Sequence, residues 1–458
     1  MNTTPPLMIA TTFDEDLIGL KDFSKRLWNF IEVEHHFVEG SLVIGLSSKY
    51  GSGKSTFLRM WKNELEANPP ADGKTLVVPL NAWESDYFGD PLFAIVSALV
   101  GSLKEAGEPS NPIVDAAKDV GWFATTIAGQ IVNKFTGIDA MAAGDATEKK
   151  RAARAAPEPV PQDGFSAYEA RRNAMAHLKA ALEKFVTGTP LKVLFLVDEL
   201  DRCRPDYAIA YLETIKHIFD LPGATFVLAA DRHHLRNSAK TAFGQDLDFE
   251  EYYRKFVHRE VTLPAISDHS YRAIARAYAN HYLEREGLRL SIMPRESHQL
   301  DNFAILAEGL SLTPRQIQEA FRVLGHMMSA DQDKRGRLPW GLAMGSLTMA
   351  VLKVGRPELY NLLGSQKLDA EVALKFITET MPQERVDWWL TLFATGGGLR
   401  LQENETLFEA FKRIGLAEDQ HKDALQRDFQ GWMGGWGHFH GARFPQIREK
   451  IDQIMQWA

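Results

Sequence analysis

The run Ser48-Lys49-Tyr50-Gly51-Ser52-Gly53-Lys54-Ser55-Thr56 combines residue types suited to holding phosphate. Phosphate oxygens need many small donors that converge with no side chain in the way. Gly51 and Gly53 allow the backbone to curl closely enough to supply them. A helix opening at Lys54 adds its unpaired N–H groups and the positive end of its dipole. In that arrangement Lys54 reaches the β- and γ-phosphates of a nucleotide, and the Ser55 hydroxyl takes one position on Mg2+. The pattern asks for glycine five residues before Gly53, and Ser48 stands there instead. The plainer alternative is a structural glycine turn.

A second constellation closes the apolar run from Leu191 to Val197, which ends in Asp198-Glu199. Asp198 suits a Mg2+ ligand, usually acting through water, and Glu199 suits the group that polarises the water attacking a γ-phosphate. Without the glycine loop upstream, the same pair would be only a charged turn after a strand. The run Ala224–Ala230 ends likewise in Asp231, which either senses the γ-phosphate or caps the following turn. Thr75 begins a further apolar run that ends in Asn81-Ala82-Trp83.

The elements that must carry these groups follow from the same runs. Leu42 to Ser47 reads as a strand, and Lys54 to about Ala67 as a helix. Continuous apolar runs of this length are strands buried on both faces, as in a parallel sheet. Their alternation with helical stretches predicts a doubly wound α/β fold. Such sheets bind ligands beyond the carboxyl ends of their strands, where Asp198, Glu199 and Asp231 fall.

The chain has 458 residues, enough for two or three domains with a sizeable core. The ATPase-like core is expected over residues 1–266, interrupted by an insertion at about 111–169. Within it, Val120–Thr136 reads as an amphipathic helix and Met141–Pro161 as a mobile linker with a basic cluster at Lys149, Lys150, Arg151 and Arg154. A helical lid is expected over 267–330 and a mainly α-helical C-terminal region over 331–458. Six of the ten tryptophans lie in that last part: Trp340, Trp388, Trp389, Trp432, Trp436 and Trp457. Most are expected in an aromatic core, with part of the set left for a partner surface. His438 and His440 lack acidic or cysteine neighbours at ligand spacing, which argues against a metal site.

A net charge of −8 argues against a chain-wide electrostatic grip on nucleic acid. The single cysteine, Cys203, excludes an internal disulfide framework and suits a reducing cytoplasm. The first residues lack the basic flank and apolar core of a signal peptide, and no apolar run is long enough to span a bilayer. The expectation is a cytoplasmic protein with no membrane association.

Taken together, the motifs resemble those of the KAP family of P-loop NTPases. Ser48–Ser55 is similar to that family's phosphate loop, with serine and tyrosine where it has glycine and tryptophan. Asn81-Ala82-Trp83 and Asp198-Glu199-Leu200-Asp201-Arg202-Cys203-Arg204-Pro205 resemble its next two signatures. The segment from Glu251 to Val257, with Leu263-Pro264, and then Thr313-Pro314-Arg315 complete the set in order. The resemblance runs from about Asp16 to Leu324. It implies that Arg315, at the start of a helix, senses bound nucleotide, and that the chain is a soluble member without the membrane helices many relatives carry. It also places the chain in antiphage defence, by resemblance only.

The expected activity is ATP hydrolysis that switches conformation and controls a protein partner, which the resemblance implies is encoded by a neighbouring gene. ATP is favoured over GTP because no Asn-Lys-x-Asp base-reading motif is present. A nucleic-acid-stimulated motor, suggested by Asp198-Glu199-Leu200-Asp201, and a nucleotide-dependent scaffold with little hydrolysis are the alternatives; a small-molecule kinase is a weaker one. A homo-oligomer stays open, since an arginine finger is often donated by a neighbouring subunit. Sequence does not choose among Arg202, Arg204 and Arg232 for that role.

Overall fold

The computed structural model describes residues 10–70, 73–128, 164–189, 191–283, 297–329, 339–437 and 442–455. They fall into two compact units, one of Ser24–Ser48 and Trp61–Leu263, the other of the described residues of Met1–Phe23, Lys49–Met60 and Pro264–Ala458.

The first unit is built on a five-stranded parallel sheet. Its strands are β1 (Leu42–Ser47), β2 (Thr75–Asn81), β3 (Lys192–Asp198), β4 (Ala224–Ala230) and β5 (Arg259–Thr262), in the order β2-β3-β4-β1-β5. The apolar runs expected as strands therefore all form strands, and the expected parallel α/β core is present. Every residue of β4, in the middle of the sheet, is buried. Pro79 lies in β2, an edge strand, where a residue without an N–H donor costs no ladder bond.

Packing follows from spacing. The helix Pro91–Glu105 buries Leu92, Ile95, Val96, Leu99, Val100 and Leu103, one face of a 3.6-residue period. Asp90 caps its first turn by accepting the Leu92 N–H, and Pro91 takes the first helical position, which needs no donor. On the sheet, Phe195 and Phe226 stack with ring centroids 4.3 Å apart, and Phe219 meets both edge-on. The third apolar run differs from expectation at its end. The strand stops at Asn81, whose side-chain carbonyl accepts the N–H groups of Trp83 and Glu84 and opens a short helix, Ala82–Asp86. In the insertion a helix spans Asn111–Ala128, beginning well before Val120, and packs against Gly164–Gly188. The linker with its basic cluster lies outside the described residues.

The second unit holds the phosphate loop segment and, among the described residues beyond Pro264, helices with one isolated bridge between Leu368 and Leu399. Trp389 and Trp436 are fully buried, and Trp436 donates its indole N–H to the Thr395 hydroxyl at 3.1 Å. Trp340, by contrast, is 39% exposed and meets Trp432 edge-on. Trp457, His438 and His440 lie outside the described residues. Among the described residues no helix is long and apolar enough to cross a membrane.

Candidate active site

Strand register gathers one set of groups at the carboxyl edge of the sheet. Asn81 stands directly opposite Asp198, Asp198 opposite Ala229, and Ser47 opposite Ala230. Glu199 follows Asp198 with φ +60°, a left-handed conformation unusual for a residue with a side chain. The Asp198 carboxylate steadies that turn by accepting the Glu199 N–H at 2.9 Å.

Both Glu199 oxygens have partners. Asn81 Nδ2 donates to Oε2 at 3.3 Å, and Arg202 lies 3.0 Å from Oε1. The Arg202 guanidinium in turn sits over the Trp83 ring, 5.4 Å from its centroid. The Asn-Ala-Trp segment thus addresses Glu199 from two sides, through Asn81 directly and through Trp83 by way of Arg202. Sequence reasoning named both residues without assigning either a partner.

Asp231 caps the helix Arg232–Phe243 by accepting the His233 N–H at 2.9 Å, and its own N–H donates to Asp201 Oδ2 at 2.7 Å. Its geometry displays the capping reading. Arg204 is fastened to Asp86 through its backbone N–H and Nε, both at 2.9 Å, a contact sequence reasoning missed. Arg232 pairs with Glu250 and Glu260. All three finger candidates therefore face a carboxylate of their own chain. Cys203 is buried, and desolvation, with Asp86, Asp201 and Glu199 nearby, pushes its thiol up to about 12, so it is no nucleophile at neutral pH.

The phosphate loop continues the chain from Ser48. Gly51 and Gly53 have φ of +77° and +103°, so both positions use the freedom that only glycine has. Ser48 is not among the positive-φ residues, so its backbone makes no such demand. Space also restricts both glycines: a Cβ on Gly51 would lie 2.6 Å from Arg315 Cβ, and one on Gly53 would lie 2.8 Å from Ile18 Cδ1. The Ser52 N–H returns to the Lys49 carbonyl at 3.2 Å, and the Phe57 N–H to Gly53 at 2.8 Å, which opens the helix Lys54–Ala67. Lys54 is buried, with Nζ 3.4 Å from the Lys49 carbonyl of its own loop. Ser55 and Thr56 occupy the first turn of that helix.

Thr313 caps the helix Pro314–Ser329, exchanging side-chain and backbone hydrogen bonds with Gln316. Its Arg315 N–H donates to the Gly51 carbonyl at 3.3 Å, and the Arg315 guanidinium lies over Tyr50, 4.7 Å from the ring centroid.

A parallel sheet with paired carboxylates at its carboxyl edge, and a glycine loop leading from β1 into a helix, define a P-loop NTPase fold. The KAP family P-loop domain matches residues 21–329, and the chain belongs to that family. It is 22% identical over 317 residues to the phage T7 exclusion protein of Escherichia coli (strain K12), a match covering 63% of this chain and 38% of that relative's length. Among solved structures it aligns with the Aeropyrum pernix ORC2 protein, determined in ADPNP–ADP complexes, at 13% identity and a TM-score of 0.35, covering 96% of this chain and 94% of that one. A structure of a Thermotoga maritima RuvB variant aligns at 13% identity and a TM-score of 0.31, over 92% and 98% of the two chains.

Proposed function

We propose that the chain binds ATP and Mg2+ and hydrolyses the γ-phosphate bond, and that this cycle switches the conformation or assembly of a protein partner. The observation that carries the reading is Glu199. It is a carboxylate adjoining Asp198 at the carboxyl end of β3, where parallel sheets bind ligands. In this reading Lys54 and the loop from Ser48 to Thr56 hold the phosphates, Glu199 accepts the proton of the attacking water, and Arg315 responds to the γ-phosphate, while Asp231 keeps its capping role. Mg2+ keeps several waters and needs few protein ligands, and in this reading the Ser55 hydroxyl and the Asp198 carboxylate would hold it. Bound there, the ion would neutralise charge developing on the phosphates.

Substituting Lys54→Ala is expected to remove nucleotide binding, and Glu199→Gln to remove turnover while leaving binding intact. Unchanged ATPase rates in either variant would overturn the assignment. A second reading, a nucleotide-dependent scaffold with little hydrolysis, is favoured by one observation: both Glu199 oxygens already have partners. Single-turnover hydrolysis by the purified chain separates the two.

The partner is proposed to be a cytoplasmic protein, sought by pull-down with the Glu199→Gln chain and ATP. The similarity to a phage exclusion protein supports a role in antiphage defence. Phage plating efficiency on cells expressing the chain or its Lys54→Ala form tests that role. Self-association with and without ATP tests the homo-oligomer. Strong, salt-sensitive stimulation by DNA or RNA would instead favour the motor.

A further inference from the structure

We propose that Tyr50 is a positioning residue: its ring holds the Arg315 guanidinium at the phosphate loop, so that the arginine meets a γ-phosphate already ordered. The inference rests on the proposed reading of the loop as a nucleotide site and extends it to discrimination between nucleotides. Three contacts bring the helix Pro314–Ser329 onto the loop. The Arg315 N–H donates to the Gly51 carbonyl at 3.3 Å. The space a Gly51 side chain would need is filled by Arg315 Cβ and Cδ and by Thr313 Oγ1. The guanidinium lies over the Tyr50 ring, 4.7 Å from its centroid.

An exposed arginine otherwise explores many rotamers, and ordering it on binding costs affinity. A guanidinium has five N–H donors, so one held over a ring keeps donors for an anion, and arginine binds phosphate in bidentate fashion. Tyr50 is itself 47% exposed, so this ring contributes little to the core and its contact with Arg315 can be removed without opening a cavity.

The test is a double-mutant cycle read as ATP and ADP affinities of the full chain, by calorimetry with Mg2+. Tyr50→Ala is expected to weaken ATP about two- to fivefold, the worth of an exposed cation–π contact, and ADP by less. Tyr50→Phe keeps the ring and restores wild-type values. In an Arg315→Ala background the Tyr50 substitution becomes silent. A loss of equal size for ATP and ADP, a loss that persists without Arg315, or tighter ATP binding by Tyr50→Ala would overturn the proposal. If the unaltered chain binds neither nucleotide, the reading of the loop fails with it. If that chain binds both and the cycle shows no coupling, only the role of Tyr50 fails.

Discussion

Asn81 Nδ2 lies 3.3 Å from Glu199 Oε2, a hydrogen bond between the ends of two adjacent strands, β2 and β3. It binds one oxygen of the carboxylate proposed as base, while Arg202 binds the other at 3.0 Å. With both oxygens engaged, the carboxylate must give up one of these partners before an attacking water can bond to it.

Asn81→Ala is therefore expected to raise basal ATP turnover severalfold at saturating nucleotide, with nucleotide affinity changed less than twofold. Steady-state hydrolysis and equilibrium binding measured on the same preparation check this. A fall in turnover would mean that Asn81 orients the carboxylate rather than restraining it. Because Asn81 also caps Ala82–Asp86, Asn81→Asp serves as a second variant: it keeps the cap acceptors and removes the donor to Glu199.

Ser48→Gly should leave ATP affinity within twofold of the parent. Gly51 and Gly53 have φ values that demand glycine; Ser48 does not, so reverting it to the family residue relieves no strain. The added chain freedom acts mainly on the unfolded state and lowers stability by about 0.4–1 kcal/mol. Nucleotide titration and denaturant unfolding measure the two effects separately. A marked gain in affinity would give the serine side chain a steric role at the loop.

What the sequence disclosed was what neighbours along the chain decide. Strand β1, the glycine loop and the helix beginning at Lys54 follow from local pattern, and so does the carboxylate pair ending β3. The contacts between Asn81 and Glu199, and between Tyr50 and Arg315, depend on which strands lie side by side and where a helix start packs, and no local periodicity encodes either. Asn81 was visible as a polar strand end. Only the placement of β2 beside β3, with Asn81 in register with Asp198, gives it Glu199 as a partner. The left-handed turn at Glu199 was equally hidden, because glutamate does not advertise positive φ as glycine does.

Two glycine-to-alanine substitutions in helices should move stability in opposite directions. Gly101, in Pro91–Glu105, has nothing within 4 Å of where a Cβ would stand. Gly101→Ala gains helix propensity, about 0.8–1.0 kcal/mol. Gly345 lies in the helix Trp340–Gly355, and its Cβ would fall 2.6 Å from Cη2 and Cζ3 of the Trp436 ring. That ring is held by the Thr395 hydroxyl and backed by Phe444, so it yields poorly. Overpacking costs about 1–3 kcal/mol and outweighs the propensity gain, so Gly345→Ala should be destabilising. Denaturant midpoints for the two variants decide the matter; a stabilised Gly345→Ala would show that Trp436 can shift.

Acidification should weaken the sheet unit through His258. Its Nδ1 accepts the Val43 N–H at 3.0 Å, which requires the unprotonated nitrogen, and its own backbone N–H donates to the Val43 carbonyl at 2.9 Å. Burial lowers its pKa below the usual 6.5, Lys216 and Arg259 add to the shift, and Asp220 opposes it. His35, hydrogen-bonded to the Thr225 hydroxyl, is shifted the same way by burial, Lys192 and His36. With folded values below the unfolded one, the unfolded chain takes up protons first as pH falls. The contribution to stability is whole above about pH 6.5 and is lost as pH falls from there through the folded values. The melting temperature should therefore hold near neutrality and decline below about pH 6.5. His258→Asn, which can offer an amide oxygen to the Val43 N–H and does not titrate, should lessen the decline. A decline just as steep in that variant would remove His258 from the account and leave the carboxylates and His35 to explain it.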